Sequence, residues 1–352
     1  MGMTSVVMAT YNGAAFVEAQ LRSLLAQSVP PAELVVADDR SADGTLAIVE
    51  AALARAPFPV RVARNAERKG YRRNFVEAAS RAEAPLVAFC DQDDVWRPDK
   101  IARMEAALAD PGVMLAYHNA SIMDHGRAGG GRLYGPGGGT RRSESALADP
   151  WSFSLGFTQV FRRELTVHAP LQALSRDFLF PREPLAHDQW FFFLAASFGR
   201  VAFVDEDLVA YRQHAANVFS AVDRGRARGL GVFRATLDHS RGQLEARRLS
   251  VLSKAEVFRR IAADAATPPE RRVRATALAH HHEDLARYYA ARVAAYGRGA
   301  GKASAWLGLM AARRRLAAQG LAYRPQHAAR DLACGLILGR FAASPRGPIA
   351  ST

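Results

Sequence analysis

Apolar residues in the first third of the chain come in short runs, each closed by polar or turn residues and followed by a stretch with helical spacing. Ser5-Val-Val-Met-Ala-Thr10 is such a run, ended by Tyr11-Asn12-Gly13, and residues 14–27 then set Phe16, Leu21, Leu24 and Leu25 at helical intervals. Glu33-Leu-Val-Val-Ala-Asp-Asp39 repeats the pattern and leads into a helix over Thr45–Arg55. Val60–Ala63 is a third short strand, and a helix from about Arg72 to Ala82 precedes a fourth strand, Leu86–Cys90. Alternating strands and helices predict a parallel sheet with right-handed crossovers.

Further along, Met114–His118 reads as another strand, while Gly126–Gly139 is too rich in glycine to pack and is expected to be a mobile loop. Trp151–Phe161 returns to apolar structure. Ala186-His-Asp-Gln-Trp190 opens a hydrophobic helix to Ser197, and Val201–Val204 and Val209–His214 look like closing strands. Three helices are expected in the tail, over Arg241–Ala262, Arg271–Ala294 and Ser304–Gln319. His280-His-His282 is sequential and reads as helix surface, not as a metal site.

The candidate chemistry lies at strand ends. Asp91, Asp93 and Asp94 follow the fourth strand directly, where open α/β sheets bind their ligands. Three carboxylates this close raise one another's pKa unless a cation or a set of N–H donors compensates them. A hard divalent cation that also takes phosphate oxygens is the simplest compensation; the structural alternative is an acidic turn capping the helix near Pro98. Asp188 falls in the first turn of its helix, where it would stabilise the helix dipole whatever else it does. The first strand-to-helix turn is not G-x-G-x-x-G and no G-x-x-x-x-G-K-[ST] is present, which counts against dinucleotide-dependent oxidoreduction and ATP-driven phosphoryl transfer.

Composition narrows the class. The chain has 352 residues, 49% of them hydrophobic, enough for one large α/β domain and a second element. Its two cysteines, Cys90 and Cys334, give no disulfide framework and no zinc spacing. The longest apolar stretch, Trp190–Phe198, is too short to span a membrane and the start lacks a basic leader, so a cytoplasmic protein is expected. The net charge of +13 is uneven: residues 1–220 carry −2 and residues 221–352 carry +15. The expected division is therefore 1–220 as catalytic domain and 221–352 as a basic helical extension. Ala311–Gln319 is basic and amphipathic and suggests peripheral contact with the inner face of the membrane; a solvated helical face is the alternative. Nucleic-acid binding is not expected, because no segment interleaves aromatic and basic residues.

Five motifs in order, Val6-Val-Met-Ala-Thr-Tyr-Asn-Gly13, Val35-Val-Ala-Asp-Asp-Arg-Ser41, Cys90-Asp-Gln-Asp-Asp-Val-Trp96, His187-Asp-Gln-Trp190 and Tyr211-Arg-Gln-His-Ala-Ala-Asn217, resemble family 2 glycosyltransferases, and more narrowly their bacterial rhamnosyltransferase-like branch. The resemblance covers about residues 3–220. It implies the A-type glycosyltransferase fold: an α/β class with a mostly parallel sheet flanked by helices, here with a C-terminal helical extension. It further implies that Thr10 and Tyr11 line a base pocket and that Asp39 accepts from a pyrimidine ring N–H. Asp93 would face the ribose and Asp94 the metal, Asp91 would support or share coordination, and His214 would reach the metal or diphosphate. Asp188 aligns with the general base. Lys69, Gly70 and Asn74 match a looser segment on the nucleotide side.

The implied reaction is inverting transfer of a sugar, rhamnose among the candidates, from a dTDP- or UDP-sugar donor to a glycan or lipid-linked saccharide acceptor. It would use Mg²⁺ or Mn²⁺ and serve cell-surface polysaccharide synthesis. A diphosphate leaving group needs its developing charge neutralised, and the attacking hydroxyl must lose a proton to a base. A sugar nucleotidyltransferase is disfavoured because no glycine-rich, basic loop follows the first strand, and a non-catalytic membrane-binding adaptor because the carboxylates at 39, 93, 94 and 188 are all present.

Overall fold

The computed structural model describes residues 2–124, 127–134, 141–143, 151–214, 230–296, 301–312 and 331–332. The chain forms two units: Met1–Gln172 with Leu185–Val222, and Ala173–Pro184 with Asp223–Thr352.

The first unit opens as the apolar pattern predicts, with β1 (Thr4–Thr10), α1 (Val17–Leu25), β2 (Glu33–Asp38), α2 (Thr45–Leu53), β3 (Val60–Arg64), α3 (Gly70–Ala79) and β4 (Leu86–Cys90). It continues through β5 (Val95–Trp96), α4 (Lys100–Ala107), β6 (Val113–Asp124), β7 (Arg127–Arg132), β8 (Arg141–Ser143), β9 (Gln159–Arg162), α5 (His187–Phe198) and β10 (Arg200–Gln213). Among the described residues, ten strands join one sheet in the order β3-β2-β1-β4-β9-β6-β10-β5, with β7 on β6 and β8 on β10. β1 runs parallel to β2 and β4, and β2 to β3. β9 lies antiparallel between β4 and β6.

β1, β2 and β4 are buried almost throughout because helices cover both faces. Alternation sorts their side chains. Val6, Met8, Leu34, Val36, Leu86 and Ala88 join Val17, Leu21, Leu24, Val49, Ile101 and Met104 of α1, α2 and α4 in one core. Phe89 points the other way, to Phe75 of α3 and Phe191 of α5. β3 is the edge, and its Arg61 pairs with Glu33 and Glu83. Charge on an edge strand discourages pairing with another chain.

Two expectations are corrected here. Arg127–Arg132 is not a loop: it pairs antiparallel with β6, since ladder hydrogen bonds require only backbone, and Arg132 ties the hairpin to Asp205 and Asp207. Residues 135–139 of that expected loop lie outside the described residues. The two closing strands are one, because register shifts between Val204 and Val209 absorb the polar Asp205-Glu206-Asp207. The two-residue β5 was not foreseen.

In the second unit, α6 (Leu230–Ala263) and α7 (Pro269–Ala295) form a helical pair with Val251, Phe258, Ile261, Leu278 and Leu285 buried, and α8 (Gly301–Ala311) follows. Pro269 opens α7, where its missing N–H costs nothing. His282 is buried against Phe258, which corrects its reading as helix surface. The expected basic stretch at residues 313–319 lies outside the described residues. Among the described residues no helix is long and apolar enough to cross a membrane.

Candidate active site

The carboxyl ends of β1, β2 and β4 lie side by side, and the loops that leave them are stitched together. Asn12, at φ 47°, accepts from the Ala42 N–H through Oδ1 at 2.8 Å and donates its own N–H to Ser41 Oγ at 2.9 Å. Gln92 clasps Tyr11 from the third loop, accepting from its N–H at 2.9 Å and donating to its carbonyl at 3.0 Å. A Cβ at Gly13 would sit 2.1 Å from Gln92 Oε1, so the clasp requires glycine there. Tyr11 remains 37% exposed, with the Arg68 guanidinium 4.0 Å from its ring centroid.

Thr10 is buried and its hydroxyl donates to Asp38 at 2.9 Å. Asp39 is also buried: it accepts from Asn65 Nδ2 at 2.9 Å and from the N–H groups of Lys69 at 2.7 Å and Gly70 at 2.8 Å. Asp39 therefore holds the start of α3, where Gly70 takes a left-handed φ of 74°. Asn74 donates to the Ala37 carbonyl at 2.9 Å and accepts from Asn65 at 2.8 Å, which docks α3 on β2. The Lys69 ammonium is paired with Glu77.

In the turn from β4 to β5, Asp91, Asp93 and Asp94 bring carboxylate oxygens within 4.8 Å of one another. Because β5 pairs with β10, the far end of the unit is drawn to this turn. Arg212 donates its N–H to Asp94 Oδ1 at 3.0 Å and its Nε to the Asp93 carbonyl at 2.9 Å. His214, stacked on Phe16, has Nε2 2.8 Å from Asp93 Oδ2. Burial and the charges of Asp93 and Asp188 push Asp91 up to about 8, and burial with Asp91 and Asp93 holds Asp94 well above the carboxylate range. Asp94 is 0% exposed and its Oδ2 has no hydrogen-bond partner. A converging set of hard oxygens, one of them buried without a donor, fits a divalent cation such as Mg²⁺ or Mn²⁺.

Asp188 lies in the first turn of α5, buried, with Oδ1 accepting the Gln189 N–H at 2.8 Å. Gln159 of β9 donates to the Asp188 carbonyl at 3.0 Å, fixing that turn to the sheet. The structure thus brings Asp91, Asp93, Asp94 and His214 together and puts Asp188 within electrostatic reach of Asp91. Thr10, Asp39 and Asn74 are brought to the same end of the sheet with their polar atoms engaged in the protein.

Sequence reasoning passed over Gln92, Arg212 and Lys100. Lys100 is 0% exposed and donates to the Phe157 carbonyl at 2.7 Å. A signal existed: Lys100 and Met104 fall at i and i+4 on the buried stripe of α4, and Leu108, just past its end, continues the spacing.

The sequence model of Glycosyl transferase family 2 matches residues 5–167. An uncharacterized glycosyltransferase of a Nostoc species is 26% identical over 225 residues, 60% of this chain and 65% of its own. The dTDP-rhamnosyl transferase RfbG of Shigella flexneri is 33% identical over 98 residues, 27% of this chain and 34% of its own. The chain thus spans less than two thirds of the length of these curated relatives. Among solved structures, S. aureus TarS 1-349 in complex with UDP superposes with a TM-score of 0.51 at 19% identity, covering 96% of this chain and 89% of that one. That likeness is one of fold, the A-type glycosyltransferase fold.

Proposed function

We propose that this chain, a member of glycosyl transferase family 2 by its residues 5–167, transfers a sugar from a pyrimidine nucleoside-diphosphate donor to a saccharide hydroxyl with inversion. The observation that carries the reading is the acidic turn, where three carboxylates converge and Asp94 keeps a buried oxygen without a donor. Asp91, Asp93, Asp94 and His214 would hold a divalent cation. When bound, such a cation supplies positive charge against the diphosphate leaving group.

The protein's own groups do the rest. Tyr11 offers an exposed ring for a base. Asp39 keeps one acceptor site beyond the three donors it already receives, since a carboxylate has about four, and that site suits a pyrimidine N–H. Asp188 takes the proton of the attacking hydroxyl, and the helix that opens there holds its direction. A single base opposite a single leaving group favours one displacement, hence inversion. That RfbG is named a dTDP-rhamnosyl transferase and that TarS was solved with UDP supports a pyrimidine donor, with rhamnose a candidate sugar. The acceptor would be a growing or lipid-linked glycan of the cell surface.

Calorimetric titration with UDP, dTDP and GDP, each with Mn²⁺ and then with EDTA, tests the donor site. UDP or dTDP should bind more tightly than GDP, lose affinity with EDTA, and bind weakly to Asp94→Asn under either condition. Preference for GDP would overturn the base assignment, and indifference to EDTA the cation.

A further inference from the structure

The segment that the second unit takes from the middle of the chain, Ala173–Pro184, holds up two large apolar side chains on a closed turn. Backbone bonds shut the turn: the Asp177 N–H donates to the Glu183 carbonyl at 2.9 Å, and the Glu183 N–H to the Phe180 carbonyl at 2.8 Å. The buried Asp177 carboxylate accepts the Leu179 N–H at 2.8 Å. At the base of the loop the Arg176 N–H donates to Ser253 Oγ of α6 at 2.8 Å, and Ser253 Oγ donates to the Ser250 carbonyl at 2.7 Å. At the tip, Leu179 and Phe180 remain 48% and 49% exposed. Leu249, exposed as well, lies one turn before Ser253 on the same face of α6.

Single exposed apolar residues need no explanation, but two adjacent ones at the tip of an anchored loop, beside a third at its base, do. The bonds that shape the loop use backbone groups and the Asp177 carboxylate, so none of them requires an apolar side chain at 179 or 180. Charge indicates what covers the tip. Arg176 and Arg182 are exposed on either side of it, with Arg176 Nη1 donating to the Arg182 carbonyl at 3.5 Å, and neither forms an ion pair among the described residues. Glu183 is the loop's one exposed acid, since Asp177 is turned inward. Residues 173–184 are neutral in sum, so the second unit as a whole carries the +15 of residues 221–352. A neutral protein groove would match the apolar tip and not this charge. An anionic bilayer matches both: apolar side chains enter the boundary between headgroups and acyl chains while cations meet the phosphates.

We propose that Leu179 and Phe180 are a membrane-inserting tip that seats the second unit on a bilayer containing anionic lipid, with Arg176 and Arg182 at the lipid phosphates. Insertion of two side chains adds to the attraction of the basic residues and is too small to replace it. The proposal stands apart from the transfer reading, because lipid binding is measured without donor or acceptor.

Changing Leu179 and Phe180 together to Ser removes the apolar tip and leaves every charge in place, so its effect reports insertion and not electrostatics. In sedimentation of the full chain with phosphatidylglycerol-containing vesicles at low salt, this double variant should partition about tenfold more weakly than the parent. Its thermal unfolding should stay near the parent's. Phe180→Trp, in the presence of the same vesicles, should add fluorescence that brominated lipid quenches. Partition of the double variant within about twofold of the parent overturns the proposal. Absence of quenching, or a parent that ignores anionic vesicles, overturns it too. A concentration-dependent dimer of the parent that the double variant abolishes would assign the tip to a second copy of the chain, and would equally overturn the proposal.

Discussion

Asp188 combines two roles that a single substitution can separate. As part of the first turn of α5 it stabilises the helix dipole, and as the proposed base it must accept a proton. Asn keeps the shape but cannot take the proton. Asp188→Asn should therefore lower turnover by about 10²–10⁴-fold with donor affinity nearly unchanged; sugar transfer within about threefold of the parent at parental stability would leave Asp188 a structural residue. Asp39 makes the converse case. Asp39→Ala would strip the acceptor from Asn65, Lys69 and Gly70 together, so it should lower unfolding stability by about 1–3 kcal/mol as well as narrow the preference for pyrimidine nucleotides. A variant that loses the preference at unchanged stability would contradict the anchoring role. The acids at 91, 93 and 94 could be singled out from sequence because like charges at a strand end demand compensation, and Asp188 because its motif aligns with the family's general base. For Lys100 the spacing to Met104 was the one signal, and it is outweighed by the usual exposure of lysine.

At the scale of elements, the helices hold histidines that are kept neutral by burial. His187 opens α5 between Phe75 and Phe89, and burial and Arg72 lower it to about 3; His282 of α7 is lowered to about 3 by burial and Lys254. Both lie below the ordinary value near 6.5. Between those limits the unfolded chain binds protons that the folded chain refuses, so stability is complete above about pH 6.5 and falls as pH is lowered, by up to about 1.4 kcal/mol per pH unit for each proton. His187→Phe keeps the ring stack without a titrating group. Its stability relative to the parent, measured by chemical denaturation, should rise steadily from pH 6.5 to 4.5; a constant difference would show that His187 does not titrate as its burial requires. The parallel strands and their helices were legible because period-2 and period-3.6 patterns alternate cleanly there. β5 and β7 were not: one is two residues long and the other is glycine at its three positions 129–131, so neither carries a side-chain period.

The whole molecule divides its charge, with +15 on residues 221–352 and −2 on the rest. Attraction of such a segment to an anionic surface is about 1 kcal/mol for each cation close to it and decays over a Debye length. The full chain should therefore sediment with vesicles containing phosphatidylglycerol at low salt, release at about 0.5 M salt, and ignore neutral vesicles. Absence of binding at low salt would leave the basic helices as a solvated face. The composition made this asymmetry plain, whereas the second unit's inclusion of Ala173–Pro184 has no sequence signal.

Cation-dependent transfer from a nucleotide sugar must release nucleoside diphosphate, and that release can be measured. The purified chain is incubated with dTDP-rhamnose and with UDP-sugars in the presence of Mn²⁺ and a saccharide acceptor mixture, and the freed nucleotide is quantified. Release is expected with at least one pyrimidine donor and should be abolished by EDTA and by Asp94→Asn. Release that persists undiminished in both would contradict cation-dependent transfer.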